Sequence, residues 1–335
     1  MRITRDLLMK LAQDTVAQKV RSDRSVVGVY LHGSLLTDEP LLGGTTDIDL
    51  FFVHDDEPGV AREIVRITDD IHLDIAHAAR KFYRQARDLR LHPWFGPTLY
   101  GCKILYDPQH YLDFVQASVR GQFERPDRVM ERVRPLLDQA RQIWLSFPLG
   151  SSGSDSPQSV ILFLKALESV AQAIALLSGP TLTERRFLLQ FSGRVNAIQK
   201  PGLYAGMLGL LHGMAVLDVE TLGVWVSQWR SAFVQVANGN PPERFVGPRI
   251  GYYGRAFEAL IDREAFQDVL WPLLNTWSRL AALLSPESES VSAWRQAFMV
   301  LGLIGDAFAD RLAALDAYLD TIEELLEAWA RENGA

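Results

Sequence analysis

Val27-Gly-Val-Tyr-Leu-His-Gly-Ser34, a polar loop, and then Thr46-Asp-Ile-Asp-Leu-Phe-Phe-Val53 are the segments on which the fold of this chain is read. The first is a β-branched, apolar run that breaks at Gly33-Ser34. Glycine there gives the backbone freedom to turn close to an anion, serine adds a hydroxyl, and a following helix start would add positive dipole. In the second segment Asp47 and Asp49 stand two apart, so on a strand both carboxylates point to one face while Ile48 and Leu50 point to the other. Two carboxylates ~4–7 Å apart repel by roughly 2–4 kcal/mol at an effective dielectric near 20. A divalent cation turns that repulsion into ligation, and hard oxygen ligands suit Mg²⁺ shared with substrate phosphates.

Outward from these segments the first third alternates between two periods. Residues 26–31, 48–53, 71–75 and 102–106 read as strands, and residues 3–20, 61–68 and 78–91 as helices, with Thr4 a candidate N-cap for the first. Beyond about Asp107 the strand signals stop. Residues 127–144, 158–177, 183–198, 204–217, 219–237, 252–284, 291–303 and 306–331 carry helical periodicity. Thr181-Leu-Thr-Glu184 has the form of a capping box, and Pro272 argues against one unbroken helix over 252–284. The expectation is an α+β fold: a small mixed-sheet domain over residues 1–125, followed by an all-helical domain over 126–335. The sharpest change of composition, residues 150–157 (GSSGSDSP), reads as a flexible stretch inside the helical part.

Composition narrows the function. At 335 residues two domains are the better expectation, and 48% hydrophobic with 22% charged residues is the balance of an ordinary globular protein. The formal net charge of −7 disfavours a long nucleic acid as partner. Cys102 is the only cysteine, which excludes an intramolecular disulfide and a cysteine-based zinc site. The start, MRITRDLLMK, has no apolar core for a signal peptide, and uninterrupted apolar stretches such as residues 298–305 fall far short of the ~20 residues that span a bilayer. The chain is therefore expected to be cytoplasmic, with no membrane partner. No Walker A and no dinucleotide-binding glycine pattern occurs. Gly43-Gly44 reads as loop flexibility, and His32, His72 and His77 as hydrogen-bonded structure in preference to zinc ligands.

Gly33-Ser34, a spacer of about a dozen residues, and Asp47-Ile-Asp49-Leu50 together resemble the signature of the nucleotidyltransferase superfamily of the DNA polymerase beta type. The resemblance covers about residues 25–107. It implies a third carboxylate on a neighbouring strand, which Asp74 supplies, on the opposite parity from Ile71, Leu73 and Ile75. Gly101-Cys-Lys-Ile-Leu-Tyr-Asp107 looks like the next strand of the small-molecule members.

What the resemblance implies is transfer of a nucleoside monophosphate from an NTP, with ATP the expected donor, to an acceptor hydroxyl, with release of pyrophosphate. Two Mg²⁺ ions would be held by Asp47 and Asp49, one of them shared with Asp74, while Gly33 and Ser34 hold the β- and γ-phosphates. The layout is nearest to the aminoglycoside-type enzymes, which points to a small-molecule acceptor; the acidic balance is compatible with a cationic one. By the same analogy Lys165 would contact the triphosphate and Glu168 would act as general base, although their i,i+3 spacing equally makes a surface ion pair. The alternatives are an antitoxin-like transferase acting on a protein or a tRNA end, and a nucleotide sensor without catalysis.

Overall fold

A computed structural model describes residues 3–147 and 155–335, and the chain divides into two compact units, Met1–Arg128 and Val129–Ala335. Of the glycine- and serine-rich stretch, residues 150–154 lie outside the described residues. Asp155 accepts a hydrogen bond from the Gly305 amide at 3.1 Å. Ser156 caps the helix that follows.

The fold is α+β, with a mixed five-stranded sheet followed by helices. The strands are β1 (Val26–His32), β2 (Thr46–His54), β3 (Arg62–Arg66), β4 (Ile71–Ala79) and β5 (Lys103–Tyr106), in the order β3-β4-β2-β1-β5. Only β2 and β4 run parallel; every other pairing is antiparallel. Helix α1 (Arg5–Ser22) starts where Thr4 accepts from the Leu7 amide at 3.3 Å. Its Leu8, Ala12 and Val16 cover one sheet face, against Val29, Leu31, Ile48, Leu50, Leu73 and Ile75. The short helices α2 (Ala86–Leu89) and α3 (Phe95–Gly101) and the longer α4 (Tyr111–Arg120) cover the other face with Leu89, Leu99, Leu112 and Val115.

Three readings of this region are corrected. Residues 61–68, expected as a helix, contain strand β3, because Ile64 and Val65 are β-branched and the segment is too short to close helical turns before β4 claims it in antiparallel register. Residues 78–91, also expected as one helix, hold the end of β4, a 3₁₀ turn over Arg80–Tyr83 and the single turn of α2. Gly43 and Gly44, read as loop flexibility, form an ordered two-residue turn. Both have positive φ, 60° and 74°, and Leu42 and Thr45 pair on either side.

The second unit is helical: α5 (Pro126–Leu145, which begins at the end of the first unit), α6 (Pro157–Ala175), α7 (Phe187–Ala197), α8 (Gly202–His212), α9 (Val219–Ala237), α10 (Arg249–Ile261), α11 (Leu270–Ala281), α12 (Glu289–Val300) and α13 (Phe308–Asn333). Helix α11 is the axis of its core, buried at every residue but Arg279. Phe187 stacks on Trp271 at 3.7 Å between ring centres, and the Trp229 indole donates to the Thr276 hydroxyl at 2.9 Å. Pro272 lies in the first turn of α11, where no amide is needed, so the break in 252–284 falls earlier, over residues 262–265. The capping box does not form. Thr183 precedes a 3₁₀ turn without a side-chain cap, and Glu184 instead accepts from Tyr253 at 3.2 Å, Asn275 at 3.3 Å and Arg244. Helix α6 is long and apolar enough to cross a membrane by composition, with 67% of that window buried inside the protein.

A polar relay fastens the first unit at the end of β2. The Ser25 hydroxyl lies 2.8 Å from His54 Nδ1, His54 Nε2 lies 2.8 Å from His77 Nδ1, and His77 Nε2 lies 3.0 Å from Glu63, which also takes Lys19 of α1. Burial, and then the neighbouring His77, lower the proton affinity of His54 below the ordinary histidine value of 6.5. The unfolded chain therefore binds more protons than the folded one as pH falls through 6.5, and the stability from neutral His54 is present above that pH and lost below it. The melting temperature should drop between pH 7.5 and 5.5, and His54→Gln should flatten part of that slope in calorimetry. An unchanged slope would remove His54 as its source.

Candidate metal and phosphate site

Sheet register assembles the site. Antiparallel pairing sets His32, at the end of β1, opposite Asp49, and parallel pairing sets Asp49 opposite Asp74 and Asp47 opposite His72. Partners in register share a face, so three strands deliver His32, Asp47, Asp49, His72 and Asp74 to the face away from α1. One carboxylate oxygen from each of Asp47, Asp49 and Asp74 lies within 4.8 Å of the others. Asp47 and Asp74 are only 5% and 6% exposed, and Asp49 is half-buried. Among the described residues this is the one group of histidine, cysteine or carboxylate side chains placed to share an ion. The oxygen donors and the crowding suit a hard divalent cation.

The turn after β1 is built for close approach to Asp49. Gly33 adopts φ 81° and ψ −155°, a region open essentially to glycine alone. A Cβ placed on it would stand 2.0 Å from Asp49 Oδ2. Ser34 follows, its hydroxyl 3.3 Å from that of Thr46, which also donates to the Pro40 carbonyl at 3.0 Å and so ties the intervening loop shut. The helix start expected after the serine is a single 3₁₀ turn, Ser34–Leu36, too short to add much dipole.

The sequence reading missed Arg62. From the edge strand β3 its Nε donates to Asp74 Oδ1 at 2.7 Å and its terminal nitrogen donates to Oδ2, a two-pronged pair on a buried carboxylate. Ile64 is the residue in register with Asp74, so Arg62, two positions away, lies on the same face. Reading residues 61–68 as a helix hid this; the Arg-x-Ile-x-Arg alternation was the available signal. Of the histidines, His77 belongs to the relay on the opposite face, while His72 is fully buried with Nδ1 3.9 Å from Asp47. Burial pushes His32 down to about 4, against the pull of Asp74, so this imidazole is neutral near pH 7 and brings no charge to the cluster. Lys165 and Glu168 lie in the second unit, on α6, joined to each other at 2.7 Å and both partly exposed.

No family model matches the chain, and no curated protein matches it.

Two substitutions probe this geometry without any assay of turnover. Gly33→Ala should weaken Mn²⁺ binding, followed by electron paramagnetic resonance, and destabilise the first unit by ~1–3 kcal/mol, because backbone strain and displacement of Asp49 come together. Arg62→Gln should act in the opposite sense. With the guanidinium gone, Asp74 is released to a cation, and Mn²⁺ should bind about threefold tighter, the modest gain expected from a pair whose arginine is largely exposed. Weaker Mn²⁺ binding by Arg62→Gln would mean that the arginine holds Asp74 in its ligating position.

Proposed function

We propose that the first unit transfers a nucleoside monophosphate from an NTP, with ATP as the expected donor, to the hydroxyl of a small-molecule acceptor. The observation that carries this reading is the convergence of Asp47, Asp49 and Asp74 within 4.8 Å, beside the glycine-only turn at Gly33. Asp47 and Asp49 would hold two Mg²⁺ ions, one of them shared with Asp74. Those ions, when bound, neutralise the triphosphate and the charge that grows on the attacking and leaving oxygens.

The chain's own residues position the reactants. Ser34 and the Gly33 backbone receive the β- and γ-phosphates. Asp74 faces the acceptor side, next to the edge strand, and orients the hydroxyl. A bond forms from that oxygen to the α-phosphorus, the bond from the α-phosphorus to the bridging oxygen breaks, and pyrophosphate leaves. The hydroxyl proton passes to the carboxylate of Asp74. Positioning and electrostatics carry most of the rate, since phosphoryl chemistry asks little covalent work of the protein.

The test is release of pyrophosphate from ATP labelled at the α-phosphate, across a panel of aminoglycosides, nucleotides, proteins and tRNA. The wild-type chain should label one small-molecule class in a Mg²⁺-dependent manner. Asp47→Asn and Asp74→Asn should each lower turnover by about a hundredfold or more while the fold persists, the scale on which lost transition-state stabilisation acts. Labelling confined to a protein or tRNA would favour the antitoxin-like reading. Binding of ATP without turnover would favour a sensor, and full turnover by Asp47→Asn would overturn the site.

A further inference from the structure

The first unit also holds a cavity of about 570 Å³ away from the residues of the acidic cluster, lined by Arg87, Asp88, Arg90, Leu91, Gln122 and Arg128, with Gly121 at its wall. Three segments meet there: the end of α2 with its continuation, the connection between α4 and α5, and the first turn of α5. Three guanidinium groups face one carboxylate in a chain whose net charge is −7, so the positive character is local and runs against the field of the whole protein.

The arginines differ in how firmly they are held. Arg90 is fixed: its Nε donates to the Val119 carbonyl at 3.3 Å and a terminal nitrogen to that of Ser118, so it caps the last turn of α4. Burial, and then the charges of Arg128 and Arg87, lower its proton affinity, which places the three cations within reach of one another's fields. Arg128 lies 3.7 Å from Asp127, a carboxylate already engaged two-pronged by Arg125 at 3.0 and 3.1 Å. Arg87 makes no hydrogen bond or ion pair among the described residues. Gln122 at the rim is held at φ 63°, a conformation that L residues other than asparagine and aspartate adopt reluctantly.

We propose that this cavity binds a compact polyanion with two adjacent phosphoryl groups, of which pyrophosphate is the simplest. Three guanidinium groups among the lining side chains, against one carboxylate, match such a ligand better than a single phosphate, and planar guanidinium groups bind phosphoryl oxygens in pairs. The volume lies in the range of small-ligand sites. No aromatic ring lines the cavity, so nothing there stacks on a nucleobase, and recognition rests on the phosphoryl groups alone. This inference does not depend on the transferase reading.

Calorimetric titration of the full chain with pyrophosphate tests it, in EDTA so that no cation bridges the ligand to the aspartates. The wild-type chain and Asp47→Asn should bind alike, and Arg87→Ala and Arg128→Ala should each weaken binding by about tenfold or more, the scale of one lost charge-assisted hydrogen bond. Neither arginine caps α4, and circular dichroism verifies that each variant is folded. ADP should bind about as well as pyrophosphate, and orthophosphate more weakly. Equal affinity in the arginine variants, loss of binding in Asp47→Asn alone, or binding of ADP but not pyrophosphate would each overturn the proposal. So would the absence of heat at millimolar pyrophosphate.

Discussion

Carboxylates within 4.8 Å of one another repel by about 3 kcal/mol per pair at an effective dielectric near 20, and the first unit holds three of them there. What fixes them is remote from the charges. Ile48, Leu50, Leu73 and Ile75 alternate with the acids along β2 and β4 and are locked under α1, so Asp47, Asp49 and Asp74 cannot leave the opposite face without dragging the core with them. Apolar burial on one side of the sheet thus maintains electrostatic strain on the other. Arg62 relieves part of it, by engaging Asp74 from the one strand that lies at the edge. Gly33 adds the complementary constraint, since its missing Cβ is the space that Asp49 occupies.

The part of this that was legible in the sequence is the part written in strict alternation. Asp-Ile-Asp-Leu and His-Leu-Asp-Ile each announce a strand with one acidic and one apolar face, and both form, in register. Thr4 before an apolar helical stripe marks a start that the structure places there. The failures have a common physical origin. Over residues 61–68 and 78–91 local periodicity was too short to separate helix from strand, and tertiary pairing settled the outcome: β4 recruits residues 62–66 and itself runs on to Ala79. Missing β3 meant missing Arg62. Likewise Thr181-Leu-Thr-Glu184 has the letters of a capping box, yet Glu184 is drawn to Tyr253, Asn275 and Arg244, three partners far along the chain that no local pattern reveals.

The helical unit handles charge in a different way. Arg141 of α5 reaches three carboxylates of α13, Asp316 at 2.6 Å, Asp320 at 2.7 Å and Glu323 at 2.9 Å, spaced by four and three residues so that they share one helical face. The acidic stripe of α13 is therefore a docking face for a neighbouring helix. Lys165 and Glu168 satisfy each other on α6 by the same spacing rule. In this unit opposite charges meet in pairs and clusters, whereas the acidic cluster gathers three like charges with Arg62 on one of them. That contrast is what separates a site from a scaffold on physical grounds.

Strand parity explains why histidines so close to the acids in sequence stay out of their cluster. His77 follows Asp74 by three residues and His54 follows Asp49 by five, odd intervals that send both imidazoles through the sheet to the α1 side, where Ser25, Glu63 and Lys19 receive them. His72 and His32 do share the acidic face, but one is sealed beside Asp47 and the other is held neutral by burial. The face is thereby left with oxygen donors around a single arginine. Nitrogen ligands favour zinc and similar transition metals, whereas an all-carboxylate cluster is a donor set of the kind that hard cations take. The two sheet faces thus divide the labour: one carries the histidine relay that fastens the fold, and the other gathers three carboxylates that could hold a metal ion.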